Sequence, residues 1–254
     1  MRDAVEQLLS DGFCVLPEVL DRQQTRAARA ALWQAADESE RRGVPTFIPE
    51  LDPNAANVRV FNLLDLDPLF RELIMHPVAV ALVESLLGVN YLISNFTANI
   101  ARPGSQSMQL HSDQAIVVPE PWENPWSVNV IWCLDEVTAD NGGTLYLPGS
   151  HLIQRQAELP PNARDQMRAF TAAPGSIIAM DGRVWHTSGA NITADQERAL
   201  LFGYYSMDFL RPQVNWNASL STHVIETLPP ALFDRLGLGA AGNVRHGAAL
   251  TRQG

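Results

Sequence analysis

The stretch YLISNFTANIARPG, residues 91–104, decides how this chain is read. Tyr, Phe, Ile and Thr crowd into it and Pro103-Gly104 ends it, the composition and punctuation of a β-strand. The same texture returns at 128–134, 144–147, 176–180 and 198–206, short runs set off by Gly, Pro and Asn. Repeated short strands with no helical period between them predict a sandwich or barrel.

Outward from these strands the texture is helical. Residues 23–42 mix Ala and Leu with charges, and residues 67–87 form a second helical stretch interrupted at Pro77, with Asp21 and Asp67 as the expected caps. Phe13–Leu16 is β-prone and stops at Pro17, so a short strand precedes the first long helix. His76, ahead of Pro77, reads as a helix end. Residues 222–236 return to a helical texture around Pro229-Pro230. With no repeat, low-complexity tract or linker, one domain is expected: a helical layer over about 1–90, an all-β core over about 91–210 and a helical tail over about 215–254.

A hydrophobic content of 46% supports a sizeable core, and a formal charge of −10 opposes binding to nucleic-acid phosphates or anionic lipid. All 18 basic residues are arginine. The absence of lysine excludes Schiff-base chemistry and a P-loop. Cys14 and Cys133 sit in apolar runs and read as buried reduced thiols, hence a reducing compartment. MRDAVEQLLSDG lacks the basic-then-apolar order of a signal peptide, and no apolar run approaches the roughly 20 residues of a membrane span. A cytoplasmic monomer or homodimer acting on a small molecule is expected, with neither nucleic acid nor membrane as partner.

The chemistry begins at MQLHSDQ, residues 108–114. If this segment is a strand, His111 and Asp113 project from one face at i and i+2 and can share an ion. An isolated His-x-Asp pair is equally a structural or chance match. A third donor, His186, ends GSIIAMDGRVWH, where an apolar strand gives way to a turn. Two imidazoles and one carboxylate make the donor set that leaves open positions on non-heme Fe(II). Arg198 follows in the β-run ERALLFGYY, and a rigid guanidinium fork on a core strand near a metal suits a diacid. The alternative for Arg198 is a structural ion pair with Asp195 or Glu197.

Five ordered segments resemble the phytanoyl-CoA dioxygenase family of Fe(II)/2-oxoglutarate oxygenases: GFCVLPEVL (12–20), NYLISNFTANIARPG (90–104), MQLHSDQ, NGGTLYLPGSH (141–151) and WHTSGANITADQERA (185–199). The resemblance implies a double-stranded β-helix, the cupin-like jelly roll, with His111, Asp113 and His186 as iron ligands at the catalytic centre. It implies that 2-oxoglutarate chelates this iron while its far carboxylate meets Arg198, and that O2 is the oxidant. Gln109, Thr144 and Ser188 match positions able to hydrogen-bond a carboxylate, Trp132 a wall of the pocket, and Arg59 a further polar contact. Halogenating relatives lack the carboxylate, so Asp113 points to oxygenation: hydroxylation, or desaturation, rearrangement or endoperoxidation from the same start. His151 reads as a loop-fixing residue, and His223 and His246 have no ligand partner at useful spacing.

The acidic surface and missing lysines disfavour a CoA thioester, whose phosphates want a basic cradle. A neutral, largely apolar specialised metabolite is expected. Phe61, Trp122, Trp126, Phe209 and Trp216 are candidate lining aromatics, Asn99 and Asn129 candidate orienting groups, and the Pro- and Trp-rich loop at 118–127 the candidate lid. Three alternatives stay open: a lipid or acyl-chain hydroxylase of the same family, a Zn(II) or Mn(II) hydrolase or isomerase, and a non-catalytic binder on the same barrel.

Overall fold

A computed structural model describes residues 1–239, so His246 and the end of the expected tail lie outside the described residues. The chain opens with α1 (Arg2–Asp11), which Gly12 closes at φ +81°. A side chain at Gly12 would be strained there and would collide with the buried His151 ring, whose Nδ1 finds no hydrogen-bond partner among the described residues. After β1 (Phe13–Leu16) comes α2 (Arg22–Arg41). Asp21 accepts from the Gln23 and Gln24 amides while the Gln24 side chain accepts from the Asp21 amide, a reciprocal cap. Its buried face is Thr25, Ala28, Ala31, Leu32, Ala35 and Ser39, at helical spacing.

Beyond β2 (Asn57–Val60) lie α3 (Leu63–Leu66), α4 (Pro68–Ile74) and α5 (Pro77–Leu87). Asp67 caps α4 by accepting from the Leu69 amide. Pro77 begins α5, where its missing N–H costs nothing, and His76 caps it by accepting from the Val78 amide at 3.3 Å.

The remaining strands are β3 (Tyr91–Ala101), β4 (His111–Ser112), β5 (Ser127–Cys133), β6 (Thr144–Tyr146), β7 (Arg168–Ala169), β8 (Ile177–Asp181), β9 (Trp185–Ser188) and β10 (Arg198–Met207). Short helices α6 (Trp216–Ser219), α7 (Thr222–Thr227) and α8 (Pro230–Arg235) close the described chain. Two antiparallel sheets form, ordered β1-β8-β5-β10-β3-β2 and β4-β9-β6-β7, in the expected jelly roll. No helix among the described residues is long and apolar enough to cross a membrane.

Both faces of the larger sheet are covered. On β5, Val128, Val130 and Trp132 join the cluster under the helices, while Ile131 and Cys133 turn the other way to meet Val137, Phe170 and Val184. On β10, Ala199, Leu201 and Tyr205 face the helices, and Leu200 and Phe202 face inward. Burial on both sides explains why these strands read as apolar runs and not as alternation. Ser94 forms a bulge, where the β10 register passes from Tyr204↔Asn95 to Tyr205↔Ile93. Its hydroxyl and carbonyl accept from the Gln213 and Val214 amides, tying the segment after β10 back onto β3.

The α5 cap carries a pH consequence. Burial lowers the His76 imidazole below its ordinary 6.5, and only a neutral ring accepts from Val78. With the folded pKa below the unfolded one, this stabilisation is complete above about pH 6.5 and is lost as pH falls through the folded value. Replacing His76 by Asn, a cap that does not titrate, is expected to flatten the fall in melting temperature between about pH 7 and pH 5. An unchanged slope would assign the acid sensitivity to other groups.

Candidate metal centre and co-substrate cavity

His111 and His186 are directly paired across β4 and β9, with ring centroids 4.4 Å apart. Each ring is oriented by its own Nδ1, which lies 2.9 Å from the Gln109 carbonyl in His111 and 3.0 Å from the Val184 carbonyl in His186. Both Nε2 atoms are left to face a common point. Asp113 is not on the strand. β4 ends at Ser112, and Asp113 opens a 3₁₀ turn running to Ile116. The same-face strand geometry expected for the pair is therefore replaced by a turn, which brings Asp113 Oδ1 to 3.7 Å from Nε2 of each histidine.

All three ligand atoms lie within 4.8 Å of one another, so they could hold one metal ion. His186 stands within β9 and is buried, not placed at a strand end. Burial lowers its pKa, with Asp113 opposing and His111 adding to the effect, and a neutral ring is what a metal needs.

The same residues line a cavity of about 180 Å³ that also contains Arg198, the first residue of β10. Arg198 is 1% exposed. Nη2 donates to the Gly142 carbonyl at 2.7 Å and Nη1 to the Asn99 carbonyl and Oδ1 at 3.3 Å, while Nε has no partner. Gly142 takes φ +86°, and a Cβ there would stand 3.0 Å from that of Ala101, so the Asn-Gly-Gly turn needs glycine at this place. Among the described residues no carboxylate pairs with the guanidinium; Glu197 pairs instead with Arg102. Burial pulls the Arg198 pKa down to about 10, which leaves it charged at neutral pH. A buried cation without a counter-ion is costly, and the far carboxylate of a chelating diacid would supply one. The donor set fits Fe(II), and the unpaired guanidinium fits 2-oxoglutarate.

The family model for phytanoyl-CoA dioxygenase (PhyH) matches residues 8–199. The chain belongs to this family. Dioxygenase af480 of Aspergillus fumigatus is 49% identical over 247 residues, 97% of this chain and 80% of its own. Dioxygenase cdmA of Talaromyces verruculosus is 24% identical over 92% of this chain and 81% of its own. The fold is shared with SnoK, a non-heme α-ketoglutarate-dependent carbocyclase of nogalamycin biosynthesis, at TM-score 0.68 and 21% identity over 90% of this chain and 91% of that one. It is shared too with HygX of Streptomyces hygroscopicus, solved with nickel, 2-oxoglutarate and hygromycin B, at TM-score 0.66 and 15% identity over 84% and 89%. This PhyH member is a non-heme Fe(II)/2-oxoglutarate-dependent dioxygenase, which sets aside the hydrolase and non-catalytic alternatives.

Of the positions matched to PhyH motifs, Thr144, Ser188 and Arg59 line the cavity. The Ser188 hydroxyl accepts from the Met108 amide, and Arg59 is held by Asp52 through Nε at 2.8 and 2.9 Å. Gln109 does not line it. Its side chain is exposed, and its contribution is the carbonyl that orients His111. Trp132 is no wall of the pocket either: strand alternation on β5 turns it to the helices, where it meets the His76 ring edge-on at 5.4 Å.

Asn99 and Asn129 do line the cavity, and each binds the protein itself, Asn99 at Arg198 and Asn129 at Asp113. None of the five expected aromatics lines it. Phe61 is half-buried beyond β2, and Trp122 and Trp216 are buried with Nε1 donating to the Val117 and Ile93 carbonyls. Trp126 and Phe209 meet edge-on at 5.5 Å. The loop at 118–127 is absent from the lining and is pinned down: Trp122 packs with Leu147, Ala163 and Trp185, and the Gln114 side chain binds Asn124 and Trp126. The rings that do face the cavity are Phe202 and Tyr204, with Asn95, Thr97, Met108, Thr187 and Gln213 beside them. Their signal lies in the strand period: 95, 97 and 99 are polar alternate positions in an apolar strand, and 202 and 204 share the face of Arg198.

Arg198→Leu is expected to raise the 2-oxoglutarate Kd by roughly 10- to 100-fold, since charge-assisted bonds contribute about 1.5–3 kcal/mol. Unchanged affinity by calorimetry would put the anchor elsewhere. Trp132→Phe should leave that affinity alone, whereas Trp132→Ala should lower unfolding stability by roughly 3–5 kcal/mol in denaturant titration.

Proposed function

We propose that this dioxygenase oxidises a C–H bond of a neutral small molecule, a specialised metabolite, coupled to decarboxylation of 2-oxoglutarate to succinate and CO2. One observation carries the proposal: a single cavity holds both the His111, Asp113 and His186 cluster and an Arg198 without a counter-ion. In this reading the three ligands hold the iron and Arg198 takes the far carboxylate, with Thr144 and Ser188, paired across β6 and β9, beside it. The iron with its co-substrate and O2 supplies the oxidising power. The chain's own residues decide which C–H bond is presented.

The lining indicates the substrate class. Asp52 neutralises Arg59 and the co-substrate neutralises Arg198, which leaves amides, hydroxyls and two aromatic rings for the substrate. Asn95 Nδ2 donates to Gln213 Oε1 at 3.1 Å, so the Gln213 amide N–H groups and the Asn95 carbonyl remain to bind hydroxyl or carbonyl groups on an apolar skeleton. This lining is more polar than a largely apolar substrate requires. It offers no basic cradle for CoA phosphates, which disfavours an acyl-CoA substrate. Relatives named for nogalamycin biosynthesis or solved with hygromycin B support a natural product. Residues 1–254 act in this reading as one catalytic domain, a monomer or homodimer, and two buried free cysteines support a reducing, cytoplasmic setting.

Anaerobic addition of Fe(II) and then 2-oxoglutarate is expected to give the visible charge-transfer absorption of the chelate, and O2 to yield succinate. Asp113→Ala should lose both. Undiminished succinate formation in that variant would remove the site from consideration.

A further inference from the structure

Asp113 is the one candidate ligand that stands outside a strand. His111 and His186 are held by the β4–β9 ladder of the smaller sheet and by the Nδ1 contacts of their rings. The turn that carries Asp113 is anchored on either side, Ser112 Oγ and the Gln114 amide both donating to the Gly182 carbonyl, but neither bond reaches the Asp113 carboxylate. What restrains it comes from the opposite sheet. Asn129 on β5 and Tyr204 on β10 are directly paired, and both reach Asp113. The Tyr204 hydroxyl donates to the Asp113 backbone carbonyl at 3.1 Å, and Asn129 Nδ2 donates to Oδ2 at 3.1 Å. The first bond holds the main chain and the second sets the carboxylate plane.

We propose that Asn129 is a positioning residue for the metal carboxylate, engaging Oδ2 of Asp113 so that Oδ1 alone faces the ion. This rests on the metal site assigned above to His111, Asp113 and His186. Oδ1 is the oxygen that lies 3.7 Å from both Nε2 atoms, and Oδ2 is the one taken by the amide. Asn129 is 7% exposed and its own Oδ1 has no partner. A buried amide gives up one end only when the other is strongly engaged, and an N–H to a carboxylate is a charge-assisted bond. With Oδ2 engaged, Asp113 would offer a bound metal one oxygen, which would leave room for further ligands beside it. The amide thus serves Asp113 and not a substrate group. Its neutrality matters as well, since a carboxylate in its place would set a like charge against Asp113.

Co(II) is the probe, because its visible d–d bands report coordination without redox chemistry. It is titrated into the full chain and into Asn129→Leu, Asn129→Ala and Asp113→Ala. Both Asn129 variants are expected to bind Co(II) roughly 10- to 100-fold more weakly, with altered d–d bands in the bound form. The Ala variant leaves room for water and carries the test if the Leu variant does not fold. Unaltered bands, or unaltered affinity, in the Asn129 variants beside weakened binding in Asp113→Ala would overturn the positioning role alone. Full binding in Asp113→Ala would overturn the metal site beneath it.

Discussion

A guanidinium buried at the start of β10 with no carboxylate paired to it among the described residues is the constraint around which this molecule is arranged. Desolvating a full positive charge is costly, and neighbouring carbonyls repay only part of that cost. The fold supplies those carbonyls from separated segments. Gly142 contributes from a left-handed turn that other residues resist, and Asn99 from near the end of β3. The remaining deficit is one negative charge, and it sits in the cavity that holds the His111, Asp113 and His186 cluster.

The two sheets divide the labour. The smaller one sets the two imidazoles beside each other, tilted by 52°, through a single cross-strand pair, a geometry fixed by ladder register. The larger one provides the floor: Arg198, Phe202 and Tyr204 on β10, Asn95, Thr97 and Asn99 on β3, and Asn129 on β5, all on the inward face. Its outward face is spent on packing against α2, α4 and α5, which makes the floor rigid. Asp113 bridges the two, leaving β4 by a short turn and being caught by Asn129 and Tyr204. Precision of the site therefore derives from the distance between the sheets, which the inter-sheet cluster around Phe170 and Met180 maintains.

Much of this was legible in the residues. Asp21 and Asp67 act where the local chemistry of helix starts puts them, and Pro77 divides two helices as a proline must, whereas His76, expected as a helix end, caps the start of α5. The strands at 91–101 and 198–206 appear within one residue of their expected bounds. Cavity residues were harder to see. Trp132 and Asn129 lie three apart on one strand and so face opposite ways, yet both faces of that strand are buried and apolar composition does not tell them apart. The aromatic residues expected around the substrate went to packing and to satisfying their own N–H groups, as Trp122 and Trp216 show.

By itself the sequence determined the main strands and the long helices, the caps at Asp21 and Asp67, and the kinds of donor available at 111, 113, 186 and 198, because propensity, capping and ligand chemistry are properties of a residue and its near neighbours. Only the tertiary structure decided that His111 pairs with His186, that Asp113 reaches them from a turn, and that Arg198 is left without an acid. Those outcomes depend on register between strands far apart in the chain and on which side of a doubly buried sheet each residue faces, and no local pattern encodes either.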